Sequence, residues 1–210
     1  MAISEAPNNV SDIVISNASQ VHRNLSVPVL YEYAVRRQEG KLLEGGTFAV
    51  YSGERTGRSP KDKYIVKTPD ISEHVWWGQH NQPMTPDTFE RIRTKAIKYL
   101  KGRELFLQDC VVAQDPEHRR TVRVITEQAY HSLFARTMFI PSMPLAEHES
   151  PDITILHAPF LQLNGEGDGV NSDAVVALNL TEGIILIAGT AYAGEMKKSV
   201  FSAMNYYLPL

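Results

Sequence analysis

The chain lacks most of the devices that hold a protein together or anchor it by special means. Its 210 residues include a single cysteine, Cys110, so no internal disulfide can form. This usage fits a reducing compartment. No charge of one sign dominates: 21 Lys and Arg stand against 24 Asp and Glu, a formal net charge of −3. Such a balance gives no grip on nucleic acid or on an anionic membrane face, both of which need clustered cations, and neither is expected as a partner. Long apolar runs are missing as well. Segments such as Gly183 to Ala188 fall far short of the roughly 20 residues a membrane helix requires. The opening MAISEAPNNVSDIVISNAS has no basic stretch, and Glu5 and Asp12 interrupt it before an apolar core develops, unlike a secretion signal. A cytoplasmic location is the expectation. Also absent is the phosphate-cradling GxxxxGK[ST] loop. Gly189 and Gly194 have its glycine spacing, but Glu195 and Met196 stand where Lys and Ser or Thr must be.

What is present is globular. With 43% hydrophobic and 21% charged residues, a chain this long buries enough surface to need neither a disulfide scaffold nor a structural metal. Residues 1–24, rich in Ala, Ser and Asn, have weak periodicity and read as a loosely held arm. The folded part is expected over residues 25–210. Ser26 as cap and Pro28 in the first turn predict a helix carrying Leu30, Ala34 and Val35, stopped at Gly40. Short strands are expected at Thr47–Tyr51 and Tyr64–Val66. Thr85, Pro86 and Asp87 open the clearest helix, with Phe89, Ile92, Ala96, Tyr99 and Leu100 on one face.

Two strands, Glu104–Ala113 and Thr121–Thr126, are joined by the polar turn QDPEHRR, and a helix over Thr126–Thr137 follows. Strands at Ile153–His157, Ala174–Leu180 and Gly183–Ala188 precede a last helix over Ala193–Tyr207. Strands and helices are interspersed without a strict βαβ repeat. The expected fold class is therefore α/β, a mixed-sheet α+β layer domain.

Two segments could carry chemistry. In GERTGRSPKDK, Gly53 to Lys63, glycines and Pro60 shape a loop from which Arg55, Arg58, Lys61 and Lys63 can converge on an anion. An Arg fork matches a carboxylate or phosphate with two parallel hydrogen bonds. The alternative is a solvated loop with no ligand. In GTAYAGEMKKS, Gly189 to Ser199, a strand ends in a turn that opens a helix. Lys197 and Lys198 are adjacent near its positive end, where each disfavours the other's protonation, and a neutral lysine can ligate a metal. An ordinary surface pair is the alternative there. Trp76 and Trp77 read as a buried pair under the following helix, the histidines as structural or solvated, and Cys110 as a small buried hydrophobe.

Together, GRSPKDKYIV (Gly57 to Val66), VWWGQHNQP (Val75 to Pro83), HSLFARTMFI (His131 to Ile140) and GTAYAGEMKKSVFSAMNYYLP (Gly189 to Pro209) resemble ATP-dependent phosphoenolpyruvate carboxykinase. The resemblance runs in the family's order from about Ser26 to Leu210. It implies the family's N-terminal, substrate-side domain and conversion of oxaloacetate and ATP to phosphoenolpyruvate, CO2 and ADP in gluconeogenesis. Mn2+ would lie near the substrate and Mg2+ would accompany ATP. By motif, the resemblance makes Arg58 a substrate-binding arginine, Tyr192 a contact to substrate carboxylate, and Lys198 a catalytic lysine that binds substrate and ligates Mn2+. Family members are more than twice this long, and the P-loop, the metal-binding His and Asp and further arginines lie in the part beyond. The 210 residues are thus expected to be inactive alone, with a non-catalytic anion-binding or interaction module as the alternative.

Overall fold

Both faces of one large sheet are covered by helices, and this sets the composition of its strands. The computed structural model describes residues 9–146 and 149–208. Numbered in chain order, β1 (Gln20–Arg23), β4 (Lys63–Val66), β5 (Gln82–Met84), β6 (Glu104–Val112), β7 (Arg120–Thr126), β8 (Ile140–Pro141), β9 (Ile153–Ala158), β10 (Val175–Asn179) and β11 (Ile184–Ala188) form a nine-stranded mixed sheet. Its order is β1-β6-β7-β9-β11-β10-β4-β5, with β8 paired to β6. The pairs β6/β7 and β10/β11 are antiparallel, while β7/β9, β9/β11 and β10/β4 are parallel. A separate hairpin joins β2 (Gly40–Leu42) to β3 (Phe48–Val50).

The side-chain period of a strand is two, so neighbours point to opposite faces. Leu156, Val175, Ala177 and Leu186 pack with Phe89, Ile92, Ala96 and Leu100 of α3 (Pro86–Leu100) and with Val10 and Val14 of α1 (Val10–Ser16). Ile155, Val176, Leu178, Ile185 and Ile187 meet Met196, Val200 and Ala203 of α5 (Gly194–Tyr207) on the other face. Nothing along β10 or β11 can be polar at low cost except at their ends, and both read as continuous apolar runs. Each fully buried Leu, Ile or Phe contributes about 1.5–3 kcal/mol. A third cluster joins Leu30 and Ala34 of α2 (Val27–Arg36) to Ala129 and Leu133 of α4 (Ala129–Met138) around Phe106.

The helix over Pro86–Leu100 begins as its sequence directs, with the Thr85 hydroxyl accepting from Thr88 N–H at 3.2 Å. Helix α4 is different, because Gln128 at its N-cap makes no side-chain cap. Its first N–H groups are met by Glu39, whose carboxylate accepts from Ala129 N at 3.2 Å and Tyr130 N at 2.7 Å. A carboxylate there also meets the positive end of the helix dipole.

Two expectations change. Within the stretch read as a loose arm, residues 10–23 form α1 and β1. Val10 and Val14 are buried against α3, and β1 runs parallel to β6. The short helix hides its apolar stripe only by docking, so periodicity over seven residues gave no warning; residues 1–8 lie outside the described ones. Of the tryptophans, Trp76 is 82% exposed rather than buried. Trp77 is half-buried and donates its indole N–H to the Ser72 carbonyl at 2.8 Å.

At the β6/β7 pairing the core holds an ion pair. Arg123 and Asp109 sit opposite each other, each side chain 1% exposed, joined by bonds of 2.7 and 3.2 Å. Asp109 also accepts from Asn24 Nδ2 and Leu145 N. Asp109→Ala strands a buried guanidinium and is expected to cost about 3–5 kcal/mol in urea unfolding. Adding Arg123→Met should recover much of that loss.

Candidate active site

The loop between β3 and β4 is tied down along most of its length. Arg55 forms an ion pair with Asp173 and donates to the Gly189 carbonyl at 3.2 Å. The carboxylate of Asp62, in a single 3-10 turn over Pro60–Asp62, accepts from Ser172 Oγ at 2.9 Å. Asn171 Nδ2 donates to the Lys61 carbonyl at 2.6 Å. These bonds seat the loop on the residues leading into β10. A further bond joins it to α5: Ser59 N–H donates to Glu195 Oε1 at 2.6 Å.

That last contact brings the two sequence segments to one place. Arg58, Lys63, Glu195, Lys198 and Ser199 line a single cavity of about 280 Å3. Among the described residues Arg58 has neither an ion pair nor a side-chain hydrogen bond. The Lys198 ammonium lies 5.0 Å from the Phe201 ring centroid and is otherwise unpaired among them. Two uncommitted cations therefore share one cavity, which suits an anion. Lys63 is held more firmly, donating to Asn81 Oδ1 and Ser202 Oγ, each at 3.1 Å. Burial, then the Arg58 charge, lowers its pKa against an opposing pull from Glu195. Glu195 is raised by burial first, while Ser59 N–H and Arg58 draw it back. It acts as a buried anchor rather than an exposed acid.

Convergence is thus narrower than the loop's four basic residues suggest. Arg55 is spent on Asp173, and Lys61 is exposed and does not line the cavity. Tyr192 is half-buried on the turn before α5, its ring lying against Gly194, and it is not among the cavity-lining residues. Lys197 is exposed. Glu195 escaped the sequence reading as the partner of the Ser59 backbone, although its place one turn before Lys198 follows from the helical period.

Beneath the turn lie two further residues that spacing did not single out, His131 of α4 and His157 of β9. Both are fully buried, with ring centroids 4.2 Å apart. Burial lowers the pKa of His157 to about 4, and burial together with the His157 ring lowers that of His131 well below its ordinary value. The unfolded chain takes up these protons near pH 6.5, whereas the folded chain resists until pH has fallen to about 4 or below. The stability they contribute is complete above pH 6.5 and is lost as pH falls toward 4. Urea midpoints measured from pH 7 to 4.5 should decline accordingly, and the decline should flatten in a His131→Gln/His157→Gln variant.

A metal site needs more than this cavity offers. Lys198 supplies one amine and His80 one imidazole, while Glu195 is engaged by Ser59. Among the described residues the one grouping of three carboxylate or imidazole ligands is Asp115, Glu117 and His118, all exposed in the turn between β6 and β7. The residues at the cavity do not by themselves complete a site for Mn2+ or Mg2+.

Fold and cavity define a mixed α/β domain with a cation-lined cleft at the junction of a loop and a helix start. Residues 19–210 match the family model described as phosphoenolpyruvate carboxykinase. The chain is 45% identical over 96% of its length to the "Phosphoenolpyruvate carboxykinase (ATP)" of Caldanaerobacter subterraneus subsp. tengcongensis, covering 39% of that protein. It is 44% identical to the one from Brucella suis and 43% to the one from Paracoccus denitrificans, over 96% and 95% of this chain and 38% of each relative. This chain belongs to the phosphoenolpyruvate carboxykinase family, and it spans under two-fifths of the length of these curated relatives.

Proposed function

We propose that the chain is the substrate-side part of an ATP-dependent phosphoenolpyruvate carboxykinase, a cytoplasmic enzyme of gluconeogenesis. Membership of the family supports this reaction class. The observation that carries the assignment to a site is the pairing of two uncommitted cations, Arg58 and Lys198, in one cavity. Oxaloacetate and phosphoenolpyruvate are both compact, multiply charged anions. In the proposed reaction the C–C bond to the departing carboxylate breaks, CO2 leaves, and its electron pair forms an enolate. The enolate oxygen then takes the γ-phosphoryl group of ATP and ADP departs. Negative charge builds on the enolate oxygen, and fixed cations aimed at it lower the barrier without rearranging.

In this reading Arg58 grips a substrate carboxylate and Lys198 neutralises the developing charge. Tyr192 contacts the substrate from the adjacent turn. Lys63, beneath, adds positive potential while its two hydrogen bonds keep it in place. Lys198 is also proposed as one ligand of Mn2+; in that role its amine would be neutral and the metal would supply the positive charge in place of the ammonium, the remaining ligands and the groups that hold Mg2+ and ATP being supplied from outside these 210 residues. Phosphoryl transfer is mostly positioning and charge neutralisation, so the isolated 210 residues bind the anion without turnover.

Calorimetry with oxalate or phosphoenolpyruvate tests the site. Arg58→Ala should weaken binding about tenfold or more, the size of one charge-assisted hydrogen bond. Arg58 makes no ion pair or side-chain hydrogen bond among the described residues and acts on the fold only through its field on Glu195 and Lys63, so the urea midpoint should move little beside the change in affinity. Equal affinities for the wild type and the variant would remove Arg58 from the site. Mixing the chain with the separately expressed remainder of a relative should restore ATP-dependent formation of phosphoenolpyruvate. A folded mixture that stays inactive favours an anion-binding module without catalysis.

A further inference from the structure

The turn from β11 into α5 carries Tyr192, and its conformation is fixed from several sides. Gly189 has a φ of +71°. A Cβ at that position would lie 2.3 Å from the Asp173 carbonyl oxygen, so only glycine fits. Ala193, the N-cap of α5, has no side chain able to cap. Arg55 holds the Gly189 carbonyl and Glu195 N–H donates to the Tyr192 carbonyl at 3.1 Å, but the two carbonyls between them are held from two other elements. His157 Nε2–H donates to the Thr190 carbonyl, and His131 Nε2–H to the Ala191 carbonyl, each at 2.8 Å. A carbonyl only accepts, so each neutral ring must carry its proton on Nε2.

The geometry is specific to Tyr192. The Ala191 carbonyl belongs to the peptide plane that ends at the Tyr192 nitrogen. The other side of that plane is also bonded, since Tyr192 N–H donates to Thr190 Oγ1 at 3.2 Å. With the planes on either side of Ala191 pinned, the direction in which Tyr192 leaves the backbone is set. Its ring then rests on Gly194, where an added Cβ would come within 2.5 Å of the ring. The two imidazoles themselves meet edge-on at 66°, and Tyr130 packs against His131 at 4.6 Å. Neither histidine touches the cavity that holds Arg58 and Lys198.

We propose that His131 and His157 are positioning residues: a buried imidazole pair that fixes the Thr190–Tyr192 backbone and so sets where Tyr192 stands relative to the cation-lined cavity. The consequence for ligand binding rests on the reading of Tyr192 as a substrate contact; the consequence for the turn does not. A space-filling role predicts that rings of similar bulk serve equally well. A positioning role requires the Nε2–H donor, which glutamine can supply and phenylalanine cannot.

The test uses the whole 210-residue chain. In the wild type, nitrogen NMR of the imidazoles should show both rings protonated on Nε2 at neutral pH, and an Nδ1–H tautomer on either ring overturns the proposal without any variant having to fold. His157→Phe and His131→Phe should speed hydrogen exchange at the Tyr192 and Glu195 amides at least tenfold, whereas the Gln variants should stay near wild type. Equal exchange in Phe and Gln variants overturns the proposal. Phosphoenolpyruvate affinity should fall about tenfold in His157→Phe and be rescued in His157→Gln, and the loss should vanish in a Tyr192→Phe background. The same loss in that background means the histidines do not act through Tyr192. If the wild type does not bind phosphoenolpyruvate at all, the functional reading fails, while the tautomer and exchange results still decide the role of the pair.

Discussion

The carboxylate of Glu195 makes one site out of two remote stretches of chain. It accepts the Ser59 N–H across 136 residues of sequence and stands between Arg58 and Lys63 on one side and the opening turns of α5 on the other. Without it Arg58, Lys63 and Lys198 would share one cavity with less negative charge to offset their repulsion. Glu195 is buried, and burial alone disfavours its charge; the bond from Ser59 N–H and the field of Arg58 oppose that cost. The group thus fastens the loop through Ser59 while Arg58 and Lys198 keep no direct side-chain partner among the described residues.

The same logic of buried polar groups in fixed pairings recurs through the fold. Glu39 caps a helix from outside that helix, Arg123 and Asp109 face each other within the sheet, and His131 and His157 hold consecutive carbonyls of one turn. Each costs desolvation free energy that an apolar side chain would not, and each finds its partners only in one arrangement of the chain, the Nδ1 atoms of the two histidines being buried without a partner among the described residues. Two of these arrangements converge. Glu39 sets the start of α4, α4 carries His131, and His131 bonds the turn that bears Tyr192. The site rests on a scaffold whose polar groups specify position as much as stability.

Much of the architecture was legible because strong signals act locally. Thr85-Pro86-Asp87 marks the start of a helix by chemistry confined to one turn, and the apolar spacing from Phe89 to Leu100 marks its buried face. Strands β9, β10 and β11 announced themselves as apolar runs, and β6 and β7 as two runs joined by a polar turn. Short elements escaped. Helix α1 is stable only against α3, β1 only beside β6, and the three-residue β2 and β5 have too few residues for any period to show. Trp76 was read inward because large aromatics favour cores, and its exposure is a property of its neighbours rather than of the residue.

The sequence by itself determined the composition of a mixed α/β domain, the helix that opens at Gly194, the candidacy of Arg58, Tyr192 and Lys198 through a family resemblance, and the absence of a P-loop among these residues. All of these depend on residue type and near-neighbour spacing. Only the tertiary structure decided that Arg58 is uncommitted while Arg55 is spent on Asp173, that Arg58 and Lys198 share a cavity which Tyr192 does not line, and that two scattered histidines meet beneath one turn. Those facts depend on distances between residues far apart in the chain. The packing of helices on both faces of the sheet sets such distances, and no local pattern encodes them.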